Sequence, residues 1–329
     1  MCLGTGEKRN KMLNQRTREE VFGRISYDPK NDKFTLETQL DAEAMVNEKI
    51  FDYPLSAPLT LHWLTTMKCN ARCKYCYEKE YLLNPKADED VMNPREIHNF
   101  IDNFSAVGGF RLYLTGGEPT LNPYLPEIIR YAYKRSIKCV VNSNGLSMPQ
   151  GVYSAIKDCE SRLSLSLDSH IKEVHNSTRS QGSYDSIINL IERAQKDNLD
   201  LRIISVLQDT NPQYWQEFGN FLGERGVKNW FIQGVTGQDD KNFNLEPLEK
   251  FLKSKFSQMR IRVLPAMYES FFYVMPNGDV GTNMWAANKK LYGNLREDPL
   301  EKIWSKTEYT RLKDYCGLLN IKFGGVKHD

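Results

Sequence analysis

The sequence has no long apolar run and little excess of charge of either sign. None of its apolar stretches approaches the roughly 20 residues that a membrane-spanning helix needs. Its 44 Lys and Arg residues nearly balance 42 Asp and Glu residues, and the formal net charge is +2. That excess gives no argument for binding nucleic acid or an anionic membrane surface. Residues 1–20 also lack the apolar core of a secretory signal. We therefore expect a cytoplasmic protein without nucleic-acid or membrane partners.

Cysteine is scarce, and its odd count of seven argues against a disulfide framework. Three of the seven, Cys69, Cys73 and Cys76, follow an apolar run at 59–66 with the spacing C-x3-C-x2-C. Thiolates at this spacing can converge on three corners of a cubane iron–sulfur cluster. No further Cys follows until Cys139, so the fourth iron is left open to a small molecule. A zinc site is the alternative, although structural zinc sites use four protein ligands.

Strands and helices alternate through the middle of the chain. Such alternation predicts a parallel sheet built from right-handed βαβ units. Six units are visible, which is six of the eight units of a TIM barrel. We therefore predict an α/β protein with a partial (β/α)6 TIM barrel. Its strands are predicted at residues 59–66, 110–114, 138–141, 163–168, 201–207 and 229–233.

The regions that flank this alternation predict a division of the chain into three parts. Residues 1–20 show no hydrophobic periodicity and predict no regular element, whereas a turn at 28–32 lies between two strand-like runs and predicts a β-hairpin. The predicted parts are an N-terminal extension with this β-hairpin (1–55), the partial barrel (56–235) and a small C-terminal α+β region (236–329).

Polar motifs follow four successive predicted strands. They are the loop at 69–76 that carries the three cysteines (the cysteine loop), Gly116-Gly117-Glu118-Pro119, Asn142-Ser143-Asn144, and the pair Ser166 and Asp168. Chemistry in parallel barrels is found at the C-terminal ends of strands, so these motifs predict one active site. Glycines allow close approach of the backbone, and the Glu118 carboxylate can accept hydrogen bonds from an ammonium group. The structural alternatives are a Gly-Gly turn, an inward-facing serine and a helix-capping aspartate.

These motifs resemble those of the radical S-adenosylmethionine (SAM) superfamily. The resemblance rests on CxxxCxxC with Tyr75 before its last Cys, on the Gly-Gly-Glu-Pro motif, on Ser143-Asn144-Gly145, and on Ser166-x-Asp168 with the downstream Arg179. It implies one [4Fe-4S] cluster on Cys69, Cys73 and Cys76, with the SAM amino and carboxylate groups on the fourth iron. It also implies reductive cleavage of SAM to a 5′-deoxyadenosyl radical, which abstracts a hydrogen atom from the substrate.

The resemblance also implies which residues contact SAM. Glu118 and a neighbouring glycine carbonyl would receive the methionyl amine, while Ser166 and Arg179 would reach the carboxylate and ribose. Asn211, after the fifth strand, and Phe231-Ile232-Gln233, in the sixth, are placed beside the adenine, with a place in the core as the alternative. Ser180 stands where the family has a glycine after the arginine. The full predicted set is Tyr75, Gly116, Gly117, Glu118, Ser143, Asn144, Ser166, Asp168, Arg179 and Ile232.

Residues 262–306 resemble, more weakly, the SPASM/twitch extension of radical SAM enzymes. They contain a predicted hairpin about Pro276-Asn277-Gly278-Asp279, followed by Gly293-Asn294-Leu295 and a helix. The family has a cysteine for an auxiliary cluster where this chain has Asn283-Met284-Trp285, and only Cys316 remains downstream. One thiol does not hold a cubane. We predict a SPASM-like module without its cluster, kept as a substrate-facing lid.

The resemblance makes a ribosomally synthesised peptide the expected substrate, with a crosslink, an epimerised residue or a cleaved backbone as the product. An epimerase needs a thiol that returns a hydrogen atom, and Cys316 is the first candidate, ahead of Cys159; both also fit structural thiols. The N-terminal region shows no helix-turn-helix or winged unit, so we expect a separate leader-peptide-binding protein, and the cluster implies an external electron donor of the flavodoxin or ferredoxin type. The alternatives are a radical SAM enzyme acting on an amino sugar, nucleoside or cofactor precursor, and a non-catalytic iron–sulfur or zinc protein.

Overall fold

The structure is a computed structural model that describes residues 13–76, 90–207, 212–234, 245–264, 272–282, 290–307, 311–312 and 319–323. Within these ranges, no helix has both the length and the apolar character to cross a bilayer.

An antiparallel sheet precedes the barrel. Its strands are β1 (Arg16–Glu20), β2 (Gly23–Asp28) and β3 (Lys33–Thr38), and the helix α1 (Ala42–Asn47) follows. The pairing of β2 with β3 confirms the predicted hairpin. The expectation of no regular element before residue 21 was wrong, because residues 16–20 form β1. Polar contacts hold this strand: Arg16 Nη1 donates to the carbonyl oxygen of Gly109 at 2.7 Å.

A parallel sheet forms the centre of the protein, and the six predicted strands are confirmed in their predicted order. A seventh strand extends the sheet beyond them, from a segment that the sequence assigns to the C-terminal region. The parallel strands are β4 (Thr60–Leu64), β5 (Arg111–Thr115), β6 (Lys138–Ser143), β7 (Arg162–Ser166), β8 (Asp200–Val206), β9 (Asn229–Gln233) and β10 (Arg260–Leu264).

Helices cover the outer face of this sheet. In the first of them, Ile97, Phe100, Ile101 and Phe104 are buried at helical spacing, as the periodicity predicts. Asn93 caps its N-terminus, with its side chain accepting from the backbone of Glu96 at 3.1 Å. The helices are α2 (Pro94–Ala106), α3 (Leu125–Lys134), α4 (Gln150–Asp158), α5 (Lys172–Thr178), α6 (Ser183–Lys196), α7 (Pro212–Glu224) and α8 (Glu246–Lys255).

The C-terminal part adds strands to both sheets. The predicted hairpin at Pro276–Asp279 is confirmed: Met275 N donates to Asp279 O at 2.8 Å, and Gly278 has a φ of +88°. Its first strand lies parallel to β4, and the last strand pairs with β3 in the N-terminal sheet. The elements are β11 (Tyr273–Val274), β12 (Asp279–Thr282), β13 (Lys290–Asn294), α9 (Leu300–Trp304) and β14 (Leu319–Phe323).

The two faces of the parallel sheet differ in polarity. Along β5, Leu112 and Leu114 are fully buried in the core, whereas Arg111, Tyr113 and Thr115 line the barrel interior. The tip of the β2–β3 hairpin closes the lower end of the barrel, where Asp32 forms ion pairs with Arg111 and Arg162. The N-terminal extension therefore supplies the floor of a polar chamber.

Candidate active site

A cavity of about 320 Å³ runs along the inside of the barrel, from the cysteine loop down to Asp32 on the floor. This volume is that of a small-molecule pocket. The cavity brings together most of the residues that the sequence predicted for the site: Cys69, Cys73, Tyr75, Cys76, Gly116, Gly117, Glu118, Ser143, Asn144, Ser166 and Arg179.

The cysteine loop lies over the C-terminal ends of the strands and is tied to the segment after β7. Lys74 N donates to Thr178 O at 2.9 Å, and Arg72 N donates to Ser180 Oγ at 3.1 Å. Ser180 is the residue that replaces the expected glycine. It does not adopt a positive φ, and its hydroxyl anchors the loop. The departure from the family pattern thus adds a contact to the cysteine loop.

The sulfur of Cys69 receives two weak hydrogen bonds. Ala71 N donates to it at 3.4 Å and Asn144 Nδ2 at 3.8 Å. The same Asn144 amide donates to Asn70 Oδ1 at 2.8 Å, which fixes its orientation. Hydrogen bonds to ligand sulfurs are one of the means by which a protein sets the potential of an iron–sulfur cluster.

Gly116 and Gly117 allow the backbone of the cysteine loop to lie directly against the end of β5. Gly117 N donates to Thr66 O at 2.8 Å, and Glu118 N donates to Lys68 O at 2.7 Å. A Cβ on Gly117 would overlap the Lys68 carbonyl oxygen. The sequence prediction placed a ligand against these glycines, whereas the contact that requires them in the structure is with the cysteine loop.

Glu118 is a buried carboxylate whose partners are all neutral. Its side chain is 1% exposed and accepts hydrogen bonds from Thr120 Oγ1 at 2.7 Å, Ser143 Oγ at 2.8 Å and Asn144 N at 2.7 Å. Within the described ranges, no Lys, Arg or His forms an ion pair with it. Burial raises its pKa above the ordinary value. An ammonium group in the cavity would supply the missing counter-charge.

Asp168, which the sequence analysis placed among the SAM contacts, does not itself line the cavity. It is 0% exposed, and its carboxylate accepts hydrogen bonds from Arg179, the Tyr75 hydroxyl and Val206 N. Burial alone would raise the pKa of Asp168, but the Arg179 guanidinium and the Tyr75 hydroxyl hold it below its ordinary value. The helix-cap alternative also fails, because α5 begins at Lys172. Asp168 fixes two other residues of the site.

Ile232, which the sequence analysis placed beside the adenine, does not line the cavity either. It is fully buried in the core against the outer helices. Because side chains alternate along a strand, its neighbours Phe231 and Gln233 line the cavity instead. Of the predicted stretch, the two outer residues therefore face the cavity and the middle one faces the core. Ser166 does line the cavity from the end of β7.

The remaining predicted residues divide between the core and undescribed parts of the chain. Cys139 and Cys159 are buried in the core, and burial raises the pKa of the Cys139 thiol. Cys159 follows α4 and precedes β7, so it lies at the strand edge opposite the cysteine loop, and it does not line the cavity. It is therefore unsuited to return a hydrogen atom there. Cys316, Asn211 and the segment 283–285 lie outside the described residues.

The polar side chains of the barrel interior were not predicted from the sequence. His62 stacks on Tyr113 with ring centroids 4.5 Å apart, and Arg111 and Arg202 lie near the same tyrosine ring. Burial, with these two positive charges, lowers the pKa of His62 to about 3. The signal was available in the sequence, because strands buried in a parallel sheet read as nearly continuous apolar runs and arginine interrupts several of these.

The part of the cavity beside the cysteine loop, called here the upper cavity, carries side chains that fit an iron–sulfur cluster with SAM. In the described part of the chain, no three His, Cys, Asp or Glu side chains gather as ligands of one metal ion. A cubane places each thiolate on a different iron, so its ligands need no such convergence. Three thiols on one loop, N–H donors to one sulfur and a buried carboxylate without a cation together suit a cluster that binds the ammonium-bearing SAM.

Comparison with known families gives a match to the radical SAM superfamily over residues 63–222. This range contains all three cysteines of the loop, Glu118 and Arg179. Among curated proteins, the chain is 24% identical to an AdoMet-dependent heme synthase of Methanosarcina barkeri, over 81% of this chain and 90% of that protein. It is 28% identical to mycofactocin maturase MftC of Mycobacterium ulcerans over 54% of this chain, which spans 47% of that relative.

Among solved structures, the chain is similar to Streptococcus suis SuiB bound to its precursor peptide SuiA. The TM-score is 0.72 at 14% identity, and the match covers 92% of this chain and 90% of that one. At this identity the likeness concerns the fold, and it confirms the predicted class.

Proposed function

We propose that this chain, which belongs to the radical SAM superfamily, takes a hydrogen atom from a ribosomally synthesised peptide. It is an enzyme that uses SAM and a [4Fe-4S] cluster. Together these supply a carbon-centred radical that removes a hydrogen atom from the substrate. The alternative of a non-catalytic iron–sulfur or zinc protein does not stand beside membership of this enzyme family.

The proposal assigns the residues of the upper cavity to holding the cofactors. Cys69, Cys73 and Cys76 bind three irons of the cluster. Glu118 receives the ammonium group of SAM, since it is buried beside these thiols without a cationic partner. Arg179, held by Asp168, carries the positive charge suited to the SAM carboxylate.

The observation that best supports a peptide substrate is the extent of the likeness to SuiB. It covers 92% of the chain and so extends beyond the barrel into the N-terminal and C-terminal parts. In that structure SuiB is bound to the precursor peptide SuiA. The mycofactocin maturase supports the same class, over the part of the chain that it matches.

A small molecule is the second candidate substrate. The observation in its favour is the heme synthase, whose match covers 81% of this chain and 90% of that relative. The radical chemistry and the cofactor-binding residues are the same under both candidates. The two differ in what occupies the lower part of the cavity.

The proposal includes two partner proteins and a compartment. A donor of the flavodoxin or ferredoxin type delivers the reducing electron, and a separate protein binds the leader segment of the peptide. The cytoplasm suits both, and in the described part of the chain the thiol of Cys139 is free, as expected in a reducing compartment. Cys316 stays the predicted hydrogen donor if the product is an epimer. A Cys316→Ala variant with unchanged yield and stereochemistry would end that role.

Deuterium transfer distinguishes the two substrate classes. The reconstituted, reduced enzyme is incubated with SAM and an extract from cells grown on a perdeuterated medium. One portion of the extract is first digested with a broad-specificity protease that is then removed, and the other is treated identically without protease. Mass spectrometry measures deuterium in 5′-deoxyadenosine.

A peptide substrate predicts deuterium in 5′-deoxyadenosine with the intact extract and its loss after digestion. Deuterium that survives digestion would contradict the peptide proposal and favour a small molecule. A Cys69→Ala variant serves as the control, because it should give no labelled product with either portion.

A further inference from the structure

Positive charge predominates in the part of the barrel interior below the cysteine loop. Among the described residues that line the cavity, five are arginines and two, Asp32 and Glu118, are acidic. Glu118 lies in the upper part, beside the cysteine loop. Asp32, on the floor, already pairs with Arg111 and Arg162. Arg179, in the upper part, pairs with Asp168, so Asp32 and Asp168 are both engaged with arginines other than Arg202.

Arg202 lies in the middle of this chamber and has only neutral hydrogen-bond acceptors. Its guanidinium donates from Nε to Ser164 Oγ at 3.0 Å and from Nη2 to Asn142 Oδ1 at 3.2 Å. The residue is 3% exposed and lines the cavity, with its Cζ 4.6 Å from the ring centroid of Phe231. In the described part of the chain, no carboxylate lies within ion-pair distance of it.

Neighbouring buried arginines differ from Arg202 in this respect. Arg162 donates to Asp200 Oδ1 at 2.9 Å and also pairs with Asp32, which Arg111 shares. Burial of a charge without a counter-ion is costly, and the fold offers Arg202 neutral acceptors alone. Burial lowers the pKa of Arg202, and the charges of Arg162 and Arg111 add to this effect, while Tyr113 and the more distant Asp32 oppose it. Arg111 also has two buried nitrogens, Nε and Nη2, that find no hydrogen-bond partner among the described residues.

We propose that Arg202 binds a carboxylate of the substrate inside the barrel. The inference rests on the proposed function for the class of substrate, a peptide, whose carboxylate is an acidic side chain or the C-terminus. A guanidinium matches a carboxylate through paired donors, and Tyr113 and Phe231 flank the site with aromatic faces.

The register of the sheet places this contact relative to the upper cavity. Arg202 pairs with Ser164, two residues below Ser166 on β7, which corresponds to ~7 Å along the strand. Ser166 lies at the end of the strand, at the level of the cysteine loop. The spacing therefore puts the bound carboxylate below the residues assigned to the cofactors, inside the same cavity.

The test measures thermal unfolding of the reconstituted protein with SAM, at constant ionic strength with chloride as the reference anion. Three probes carry one anionic group each: N-acetyl-glutamate α-amide for a side-chain carboxylate, N-acetyl-alanine for a C-terminal carboxylate, and inorganic phosphate. The variants are Arg202→Gln, which removes the charge, Arg202→Lys, which keeps it, and Arg162→Gln, a buried arginine whose carboxylates are already in the fold.

At least one of the two carboxylate probes should raise the Tm of the wild type. The more effective probe shows whether the substrate carboxylate is a side chain or a C-terminus. Arg202→Gln should raise the half-saturating probe concentration about tenfold or more, because it removes a hydrogen bond to a charged group. Without a probe, in chloride, Arg202→Gln should have a higher Tm than the wild type, because the variant no longer buries a charge without a counter-ion. Arg202→Lys should keep part of the response, and Arg162→Gln should lower the Tm in chloride but keep the response.

Equal responses in wild type and Arg202→Gln would overturn the proposal, as would a wild type that responds to phosphate alone or to no probe. None of these measurements involves cleavage of SAM. A failure here is therefore distinct from a failure of the peptide proposal, which depends on deuterium transfer.

Discussion

Arg179 binds Asp168 through two parallel hydrogen bonds, from Nε to Oδ2 at 2.7 Å and from Nη2 to Oδ1 at 2.9 Å. The Tyr75 hydroxyl donates to the same carboxylate, so a residue of the cysteine loop and a residue after β7 share one buried anion. The pair orients the guanidinium at the cavity wall before any ligand is present.

Asp168→Asn should destabilise the protein and weaken SAM binding. Removing one partner of a buried ion pair costs about 3–5 kcal/mol, because the other charge is left uncompensated. We expect a loss of that size in the free energy of unfolding measured with denaturant, and an increase of about tenfold in the Kd for SAM. Asp185→Asn is the control, since Asp185 pairs with Lys172 at the surface, and it should change little. An Asp168→Asn protein as stable as the control would contradict the anchoring role.

Glu118→Gln should remove a pH dependence of stability. The pKa of Glu118 is raised in the folded state, chiefly by burial. The folded protein then holds this proton more tightly than the unfolded chain does, so the stabilisation is present below the unfolded value and is lost as the pH rises through the folded pKa.

The measurement is the Tm of wild type minus that of Glu118→Gln, without SAM, from about pH 4 to about pH 7. The difference should fall as the pH rises. A difference that stays constant or grows with pH would show that ionisation of Glu118 does not destabilise the folded protein. At the upper pH, SAM should raise the Tm of wild type more than that of the variant, because its ammonium compensates the carboxylate.

Gly117→Ala should displace the cysteine loop and reduce the iron bound after anaerobic reconstitution. The added Cβ overlaps the Lys68 carbonyl oxygen, and the backbone cannot yield without moving the adjacent Cys69. The control is Gly151→Ala in α4, where the nearest atom is 4.0 Å away. That change should raise stability by about 0.5–1 kcal/mol, as expected for Ala over Gly in a helix. If Gly117→Ala binds as much iron as the wild type, the cysteine loop does not require a glycine at this position.

Replacing all three cysteines of the loop by alanine should remove the iron. Wild type should bind about four irons and as many sulfides per chain, the content of one cubane. None should remain in the Cys69/Cys73/Cys76 triple variant. About four irons surviving in that variant would mean that the C-terminal region binds a cluster of its own, contrary to the prediction from residues 283–285.

The sequence predicted the upper half of the site because spacing and strand ends determine it. Cysteines on one loop and polar residues at successive strand ends must converge in a parallel sheet, so Glu118, Ser143 and Asn144 were found together. The sequence identified Asp168 as a residue of the site, but not as the carboxylate that holds Arg179 and Tyr75. Its partner Arg179 is 11 residues away, and only the fold shows that the two side chains satisfy each other.

The lower half and the floor escaped prediction for a different reason. Asp32 is in a turn, where aspartate is common for local reasons, and its ion pairs are with residues 79 and 130 positions away. The strand β1, which contains Arg16, was not predicted. Polar side chains anchor it through hydrogen bonds, so its sequence shows no apolar periodicity. Arg202 lies within a strand that the apolar pattern predicted correctly, and the pattern does not say which way a single charged side chain faces.

The pairing of β14 with β3 has a consequence for the order in which the protein is assembled. Leu319 lies opposite Phe34, so almost the whole chain separates two neighbouring strands. Contacts so distant in sequence form late, because a long loop must close before they contribute. During synthesis the barrel strands emerge from the ribosome before the partner of β3 exists. We therefore expect the hairpin that carries Asp32 to keep an open edge until β14 pairs with β3.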